Sequence, residues 1–449
     1  MRSLKVILFI LVGLTLTQTT FAQEELTLKK ALNYAMLNSE TIRKSRLDVE
    51  GVKYTTAETR SQALPQINGT GTLTNNLLIQ QSPLPGELAG RPGETILVAF
   101  GTKWNSAIQA QLSQQLFNQQ VFTGLRAAKT GEDYYKLSAE LTEENIIQQV
   151  ATAYYQVLVN REKISVLDSN IKSLQRTENI IGAQFTNGLA RKIDVDRVKV
   201  NLTNLDNQKS ELLNAVTQQE NLLKFYMGMP INTAIRIPKI DLDALNASAN
   251  NLADSLNVDY LTEFKVLSKQ SELLEFQKKA YVAEYFPKLA LNANYIYSGI
   301  SQKFDLYRRG STANWVDASS VGLTLNIPIF DGFARRSRVS KADVEIRKIK
   351  EDLRNNKQSL NLAFDNAKIQ IRNSVSTINS QEGNKRLAQE IYNSTQNNYK
   401  NGLASLTDLL DAENSLTEAQ NSYNQALLNY KLAEIQLIKS NGNIKTLLK

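Results

Sequence analysis

The chain has 449 residues, a net charge of +8, and neither cysteine nor histidine. These absences exclude disulfide bonds, thiolate or imidazole metal sites, and catalytic centres built on a Ser-His-Asp or Cys-His arrangement. Only enzymes that work through carboxylates, lysine, tyrosine or a metal held by oxygen ligands remain open, so a non-catalytic protein is favoured. The basic excess is spread along the chain without a dense block of lysine and arginine, so nucleic acid is not an expected partner.

The N-terminus has the pattern of a secretory signal peptide. Arg2 and Lys5 precede the apolar run Val6–Leu16, and the small residue Ala22 lies just before the expected cleavage point. This run is too short to span a bilayer, which needs about 20 apolar residues. We therefore predict a signal peptide over residues 1–22 and export of the mature chain.

The sequence repeats its own layout. The segment Asn187–Gly228 matches Asn401–Gly442 without gaps at an offset of 214, with 12 identical residues. Upstream, Ala63–Ile67 resembles Tyr285–Leu289 at an offset of 222. The change of offset indicates loops of different length between shared elements, and the similarity predicts one architecture built twice.

Each repeat is predicted to contain a helix, two strands, a very long helix, a tip and a final helix. The predicted divisions are a first repeat at 23–230, a linker at 231–250 and a second repeat at 251–449. The predicted strands cover about 65–75, 106–117, 287–298 and 320–330. The predicted tips lie at about 185–194 and 399–411.

The longest uninterrupted helical pattern follows the second pair of strands. No proline occurs between Ala334 and Asn398, so a helix there would be about 100 Å long at about 1.5 Å per residue. It carries two apolar seams with a seven-residue period. The seams are Ile346, Leu353, Leu360 and Ala367, and Phe364, Ile371 and Ile378. Two seams suit either a ring of helices with a neighbour on each side or an ordinary coiled-coil hairpin.

Alternation of polar and apolar residues marks the strands. Alternate residues of Leu289–Tyr297 are apolar or aromatic on one face and mostly small or polar on the other, and Val321–Ile329 shows the same pattern. This period fits a membrane strand with a lipid face and an aqueous face, and also a half-buried sheet of a soluble protein. Aromatic residues near the strand ends favour the membrane, because tyrosine and tryptophan gather at bilayer interfaces. The predicted interfacial aromatics are Trp104, Tyr295, Tyr297, Tyr307 and Trp315.

Four strands are too few to close a barrel. The smallest outer-membrane barrels have about eight strands, and an open edge in lipid leaves backbone groups unpaired. Membrane strands here would therefore require several copies of the chain. A dimer would supply eight strands and a trimer twelve, and the pattern does not choose between them.

Two segments are specific enough to indicate a family. The tip segment Tyr399–Ala412 reads YKNGLASLTDLLDA, and Pro328–Gly332, PIFDG, precedes the long helix. With the signal peptide and the duplicated layout, they resemble the TolC family of outer-membrane efflux proteins over essentially the whole mature chain. The resemblance implies a mainly α fold with a β-barrel part. In this fold a trimer closes a 12-stranded outer-membrane barrel, four strands per chain, and a long α-helical barrel continues it into the periplasm.

The resemblance also implies a function. The protein would be the passive exit duct of a tripartite efflux or type I secretion system, in the outer membrane and extending into the periplasm. Expected partners are outer-membrane lipid, two further copies of the chain, a periplasmic adaptor and an inner-membrane pump of the RND or ABC type. No cofactor, metal or catalysed reaction is expected. The alternatives are a soluble periplasmic coiled-coil adaptor and a carboxylate enzyme such as a secreted glycosidase.

The resemblance assigns a gate to the second tip. Asp408 and Asp411 match acidic residues that ring the closed periplasmic entrance. In a trimer their six carboxylates would attract cations to a narrow mouth. Spacing alone favours an ordinary capping box, Ser405-x-x-Asp408, at the start of a helix.

A latch and an adaptor contact are implied in the same way. Asp194 and Tyr399 match positions that tie the two tips shut, where a tyrosine hydroxyl can bond a carboxylate. The frequent basic residue after the tip glycine is replaced here by Ala404, which leaves Arg191 of the other tip as the candidate cation. The adaptor-contact candidates are Gly188, Leu189, Gly402 and Leu403, and at these positions glycine also permits the tight turn.

Overall fold

The computed structural model describes residues 25–238 and 256–449. The predicted signal peptide and residues 239–250 of the predicted linker lie outside the described residues. Within the described ranges the chain is mostly helical, with one four-stranded sheet and one two-stranded hairpin.

The chain forms two compact units. The first, called the helical unit, comprises the chain up to Leu47, Leu137–Val266 and Arg354–Lys449. The second, called the sheet unit, comprises Asp48–Lys136 and Leu267–Leu353. Each predicted repeat contributes to both units, so the duplication follows the sequence and not the division into compact units.

The elements of the first repeat include a second early helix and a short hairpin besides the predicted ones. They are α1 (Leu28–Asn38), α2 (Glu40–Ser61), β1 (Gln66–Asn75), β2 (Gln81–Pro85), a 3₁₀ turn (Gly86–Ala89), β3 (Thr95–Ala99), β4 (Trp104–Phe117), α3 (Gln119–Thr186) and α4 (Lys192–Met227). Those of the second are a 3₁₀ turn (Val258–Tyr260), α5 (Thr262–Ala283), β5 (Lys288–Ser301), β6 (Asn314–Asn326), α6 (Ala334–Lys400), α7 (Leu406–Ser440) and a 3₁₀ turn (Ile444–Leu448).

The element bounds obey the two offsets read from the sequence. Helices α2 and α5 begin at Glu40 and Thr262, which is the offset of 222. Helices α4 and α7 begin at Lys192 and Leu406, which is the offset of 214. The duplicated sequence therefore places equivalent helices at equivalent points of each repeat.

The four-stranded sheet has the order β1-β4-β5-β6 and is antiparallel throughout. Directly opposed residues lie on the same face, so the register decides whether the alternations of separate strands add up. In the observed register, the apolar residues of all four strands lie on the same face of the sheet. This apolar face carries Ile67, Leu73, Ile108, Leu112, Leu291, Tyr295, Tyr297, Val321, Leu323 and Leu325.

The opposite, polar face carries amides and hydroxyls. Gln109 donates to Asn294 at 2.7 Å, and Asn292 donates to Thr324 at 2.9 Å. These bonds join side chains of adjacent strands across the polar face. One face is thus wettable and the other is suited to an apolar solvent.

The sheet differs from the prediction in two places. Strand β6 covers 314–326 and not about 320–330, because Pro328 has no backbone N–H to donate to a ladder and the pairing with β5 extends upstream to Asn314. The β2–β3 hairpin was not predicted, because Pro83 and Pro85 lie in its first strand and proline argues against a strand assignment.

The helical unit holds two apolar clusters. The larger packs α1, the middle of α3, the end of α4 and α7 around residues such as Leu32, Tyr154 and Leu427. The smaller, called the tip cluster, joins α3, α4 and α7 through Leu174, Val198 and Leu406 with their neighbours. Fully burying each such side chain contributes about 1.5–3 kcal/mol. The tip cluster therefore fixes both tips of one chain against each other.

Candidate functional site

The same turn builds both tips. Gly188 and Gly402 each have a φ of 72°. In both turns the leucine after the glycine donates its N–H, at 2.8 Å, to the carbonyl five residues earlier. This is the Schellman motif, whose left-handed position favours glycine because it has no Cβ. Leu189 and Leu403 are 80% and 78% exposed, so each turn presents one apolar side chain to its surroundings.

The second tip presents two carboxylates at the start of α7. The Ser405 hydroxyl accepts from the Asp408 N–H at 3.1 Å, and the Asp408 carboxylate accepts from the Ser405 N–H and hydroxyl at 2.8 and 2.7 Å. These bonds lower the pKa of Asp408 and keep its carboxyl ionised. Asp411 lies one turn further on, and both residues are exposed. Asp408 thus forms the capping box and still presents its negative charge.

The first tip carries a carboxylate with its own cation. Arg191 donates to Asp194 through Nε and Nη2 at 3.0 and 3.1 Å, in a two-pronged ion pair. The hydrogen bond from Arg191 lowers the pKa of Asp194. The carboxylate at the start of α4 is therefore compensated, unlike that of Asp408.

The repeat offset shows how the two tips diverge in charge. Equivalent positions, 214 apart, are Arg191 and Ser405, Asp194 and Asp408, and Arg197 and Asp411. At two of these three positions the first tip has arginine where the second has serine or aspartate. Uncompensated negative charge at these positions is therefore a property of the second tip alone.

Arg197 also joins the two tips, a role that the sequence analysis missed. Its Nη1 donates to the Thr407 hydroxyl at 2.9 Å, from α4 to the first turn of α7. The next residue, Val198, is fully buried in the tip cluster. Alignment of the repeats at offset 214 could have drawn attention to Arg197, because it replaces an aspartate.

The proposed latch residues lie close together without a direct bond. Tyr399 packs against the tip cluster. Burial raises the pKa of Tyr399, and the nearby charge of Asp194 raises it further. Within the described part of the chain Asp194 bonds Arg191 and makes no hydrogen bond to Tyr399. The latch stays a prediction.

The predicted interfacial aromatics belong to the apolar face or pack on it. Trp315 stacks on Tyr297 with ring centroids 4.8 Å apart and planes 20° from parallel. The stack crosses Gly299, where a Cβ would lie 2.6 Å from the indole ring. Tyr307 packs on Trp315 with ring centroids 5.9 Å apart. Trp104 lies on the same face, at the end of the sheet where residues 302–313 connect β5 to β6, which we call the loop end. Tyr295 lies on this face as well, two residues along β5 from Tyr297 and further from the β5–β6 loop.

Among the described residues, no helix combines the length and the hydropathy that crossing a membrane requires.

Comparison with known proteins identifies the family. The model of the family described as outer membrane efflux protein matches residues 31–229 and 271–443. Outer membrane protein TolC of Escherichia coli (strain K12) is 23% identical to the chain, over 98% of this chain and 87% of that protein. The pyoverdine export outer membrane protein OpmQ of Pseudomonas aeruginosa is 21% identical, over 92% and 85%.

Solved structures show the same fold. The outer membrane protein VceC from Vibrio cholerae superposes with a TM-score of 0.72 at 15% identity, covering 92% of this chain and 96% of that one. The Campylobacter jejuni CmeC outer membrane channel superposes with a TM-score of 0.73 at 15% identity, covering 95% and 90%.

The chain therefore belongs to the outer membrane efflux protein family. It is an outer-membrane protein that extends into the periplasm, and its fold is that of the TolC-like channels. The predicted family, fold class, channel function in efflux and location are confirmed. The alternative of a soluble adaptor is not supported, because the matching family is one of channels.

Proposed function

We propose that three copies of this chain form a passive exit duct for efflux. Each copy contributes its four-stranded sheet to a barrel in the outer membrane and its long helices to a periplasmic conduit. The duct catalyses no reaction, and its cargo moves because an energised partner delivers it.

The observation that supports this proposal most directly is a sheet with one apolar face and two unpaired edge strands. Strands β1 and β6 pair on one side only within the described chain. In lipid their unpaired backbone groups would cost several kcal/mol each, about the price of a lost hydrogen bond in an apolar medium. Because the four strands alternate in direction, β6 of one copy meets β1 of the next antiparallel. Closure by identical copies therefore continues the same ladder.

Twelve strands from three copies agree with the family resemblance. The amides and hydroxyls of the polar face would then line a water-filled lumen, and the apolar face would contact lipid. An even number of strands in each copy keeps the ring antiparallel for any number of copies. The choice of three rests on the resemblance to TolC.

The tips are the proposed contact for a periplasmic adaptor. Leu189 and Leu403 protrude from equivalent turns, so a trimer would present six similar apolar knobs. An adaptor that binds them would connect the duct to an inner-membrane pump of the RND or ABC type. The export of pyoverdine named for the relative OpmQ is consistent with small-molecule cargo.

The proposed gate consists of Asp408 and Asp411. Both are exposed, and Asp408 keeps an ionised carboxyl because Ser405 bonds it. A ring of such carboxylates in a narrow entrance favours cations over anions.

Disulfide trapping tests the closure, because the chain has no cysteine of its own. Thr70→Cys on β1 would be combined in turn with a cysteine at one of four polar-face positions of β6. These positions are Ala318, Ser320, Gly322 and Thr324. At least one pair should give an oxidised ladder that ends at the trimer on denaturing gels, and Thr70→Cys alone should give no trimer. A ladder that ends at the dimer, or no ladder from any pair, would contradict the proposal.

A further inference from the structure

Four cations lie beyond the strands at the loop end of the sheet. They are Lys103, which precedes β4, and Lys303, Arg308 and Arg309 in the loop between β5 and β6. All four are exposed, and none forms an ion pair within the described part of the chain. We call this group the loop cation cluster.

The β5–β6 loop holds its cations in a defined conformation. Asp305 accepts from the Ser301 hydroxyl at 2.6 Å, and from the Thr312 N–H and hydroxyl at 2.9 and 2.8 Å. These bonds lower the pKa of Asp305 to about 2, the bond from Ser301 contributing most. The adjacent Leu306 is buried. The one carboxylate of the loop is thus directed to the hydroxyls of Ser301, at the end of β5, and of Thr312, and not to the arginines.

The loop folds back onto the apolar face. Tyr307 shares a hydrogen bond of 2.5 Å with Ser106, which lies on that face, and Phe304 packs on Trp104 with ring centroids 4.6 Å apart. A second link joins the loop to the start of β4, where Gln302 accepts from the Lys103 N–H at 3.4 Å. The loop therefore lies on the apolar side of the sheet, and Lys303, Arg308 and Lys103 are the chain neighbours of Phe304, Tyr307 and Trp104.

This order of groups matches the boundary of a bilayer. Aliphatic residues of the apolar face are followed by a belt of tyrosine and tryptophan and then by cations. Aromatic belts lie at the level of the lipid headgroups, so a cation just beyond them meets the headgroups. Guanidinium groups bind phosphate oxygens in pairs, and basic pockets at this depth bind anionic headgroups. The one carboxylate of the apolar face in this region, Asp317, lies opposite Tyr297 and is outnumbered by the cations.

We propose that the loop cation cluster binds the phosphate groups of a phosphorylated lipid in the outer leaflet of the outer membrane. Helices α2, α3, α5 and α6 adjoin the strands at the ends opposite the β5–β6 loop, and the proposed function assigns these helices to the periplasm, so the loop end of the sheet would face the outer leaflet. The inference rests on the proposed function, namely that the apolar face contacts lipid and that the long helices lie in the periplasm. The bound lipid would anchor the loop to the membrane surface.

Native mass spectrometry of the full-length protein in non-ionic detergent tests the site. The probe is a bisphosphorylated glycolipid of the lipid A type, compared with the same lipid after enzymatic removal of its phosphates. The variant is Lys303→Gln with Arg308→Gln and Arg309→Gln. Its matched control is Lys341→Gln with Arg347→Gln and Lys350→Gln, three exposed cations of α6 that form no ion pair in the described chain.

The expected result is phosphate-dependent binding that the loop variant loses. The lipid concentration for half occupancy should rise by about tenfold or more in the loop variant, because several charge-assisted hydrogen bonds are removed. The control should stay within about twofold of the unmodified protein, since exposed cations on a helix contribute little. Added salt should weaken binding to the unmodified protein.

Three results would overturn the site: equal binding of both lipids, equal binding by both triple variants, or displacement of the lipid by an equal concentration of inorganic phosphate. The same spectra count the subunits. A mass other than the trimer with phosphate-dependent binding intact would count against the proposed function and leave the lipid site standing. A trimer without phosphate dependence would remove the lipid site alone.

Discussion

Glu413 is a buried carboxyl in α7, the helix that carries the proposed gate residues. It lies two residues after Asp411 on α7, its residue is 6% exposed, and its Oε1 has no hydrogen-bond partner within the described chain. Burial raises the pKa of Glu413 to about 7, against the lowering effects of a hydrogen bond from Ser173 and the charge of Arg176. Tyr392 of α6 bonds the same Ser173 at 2.9 Å. The carboxyl thus titrates near neutrality inside a helix interface.

The raised pKa predicts the sign and size of a pH effect on stability. The folded chain holds a proton on Glu413 up to a pH of about 7, while the unfolded chain releases it near the ordinary 4.5. Stability from this group is therefore complete below about pH 4.5 and is lost as pH rises through about 7. At about 1.4 kcal/mol per pH unit, the loss approaches about 3 kcal/mol, most of it between pH 5 and pH 8.

Glu413→Gln should remove this dependence, because glutamine keeps the shape of the protonated acid and does not titrate. At pH 5 the variant should be about as stable as the unmodified protein. At pH 8 it should be more stable by about 2–3 kcal/mol. The measurement is guanidinium unfolding in detergent at both pH values, followed by circular dichroism of the helices.

Glu418→Gln is the matched control, since Glu418 is an exposed glutamate on the same helix. It should follow the pH dependence of the unmodified protein. If Glu413→Gln shows that same dependence, Glu413 is ionised in the folded state at no cost, and the reasoning from burial is refuted.

Two further changes test the gate and the sheet. The double variant Asp408→Ala with Asp411→Ala should show reduced cation selectivity in planar bilayers. The control Asp206→Ala, which removes an exposed carboxylate of α4, should keep the selectivity of the unmodified protein. Equal selectivity in the unmodified protein, the double variant and the control would remove the gate assignment. Gly299→Ala should lower the free energy of unfolding of the detergent-solubilised protein by about 1–3 kcal/mol, because the added Cβ would clash with the Trp315 ring. Thermal unfolding of the variant would measure this loss. Gly322→Ala has open space around it, and an equal loss there would contradict the packing argument.

Periodicity and repeats predicted most of the fold. The alternation in Leu289–Tyr297 recurs in the register of β5, and the two repeat offsets reappear in the first residues of paired helices. These features are local or self-similar, so a single sequence contains them. The start of β6 was harder to predict from the sequence. Asp317 and the serines after it interrupt the polar–apolar alternation that marks the second half of the strand.

The site was predicted less fully, because its geometry depends on side-chain partners. Ser405 and Asp408 share one helix start, and their bond follows from spacing. The partner of Asp194 was harder to choose, since Arg191 and Tyr399 both lie within its reach and only coordinates rank them. The burial of Glu413 was not predicted, although it lies seven residues after buried Leu406, because charged side chains are usually exposed.

The two Schellman turns at Gly188 and Gly402 have a consequence for evolution. A ring of six identical half-length chains would have to give every tip the same charges. In a chain that contains the layout twice the two halves can differ, as Arg197 and Asp411 do at matching positions. In the proposed trimer, acidic and compensated tips would alternate around the periplasmic entrance. The equivalent turns would keep the backbone close to sixfold regularity, while charge could vary at every second tip.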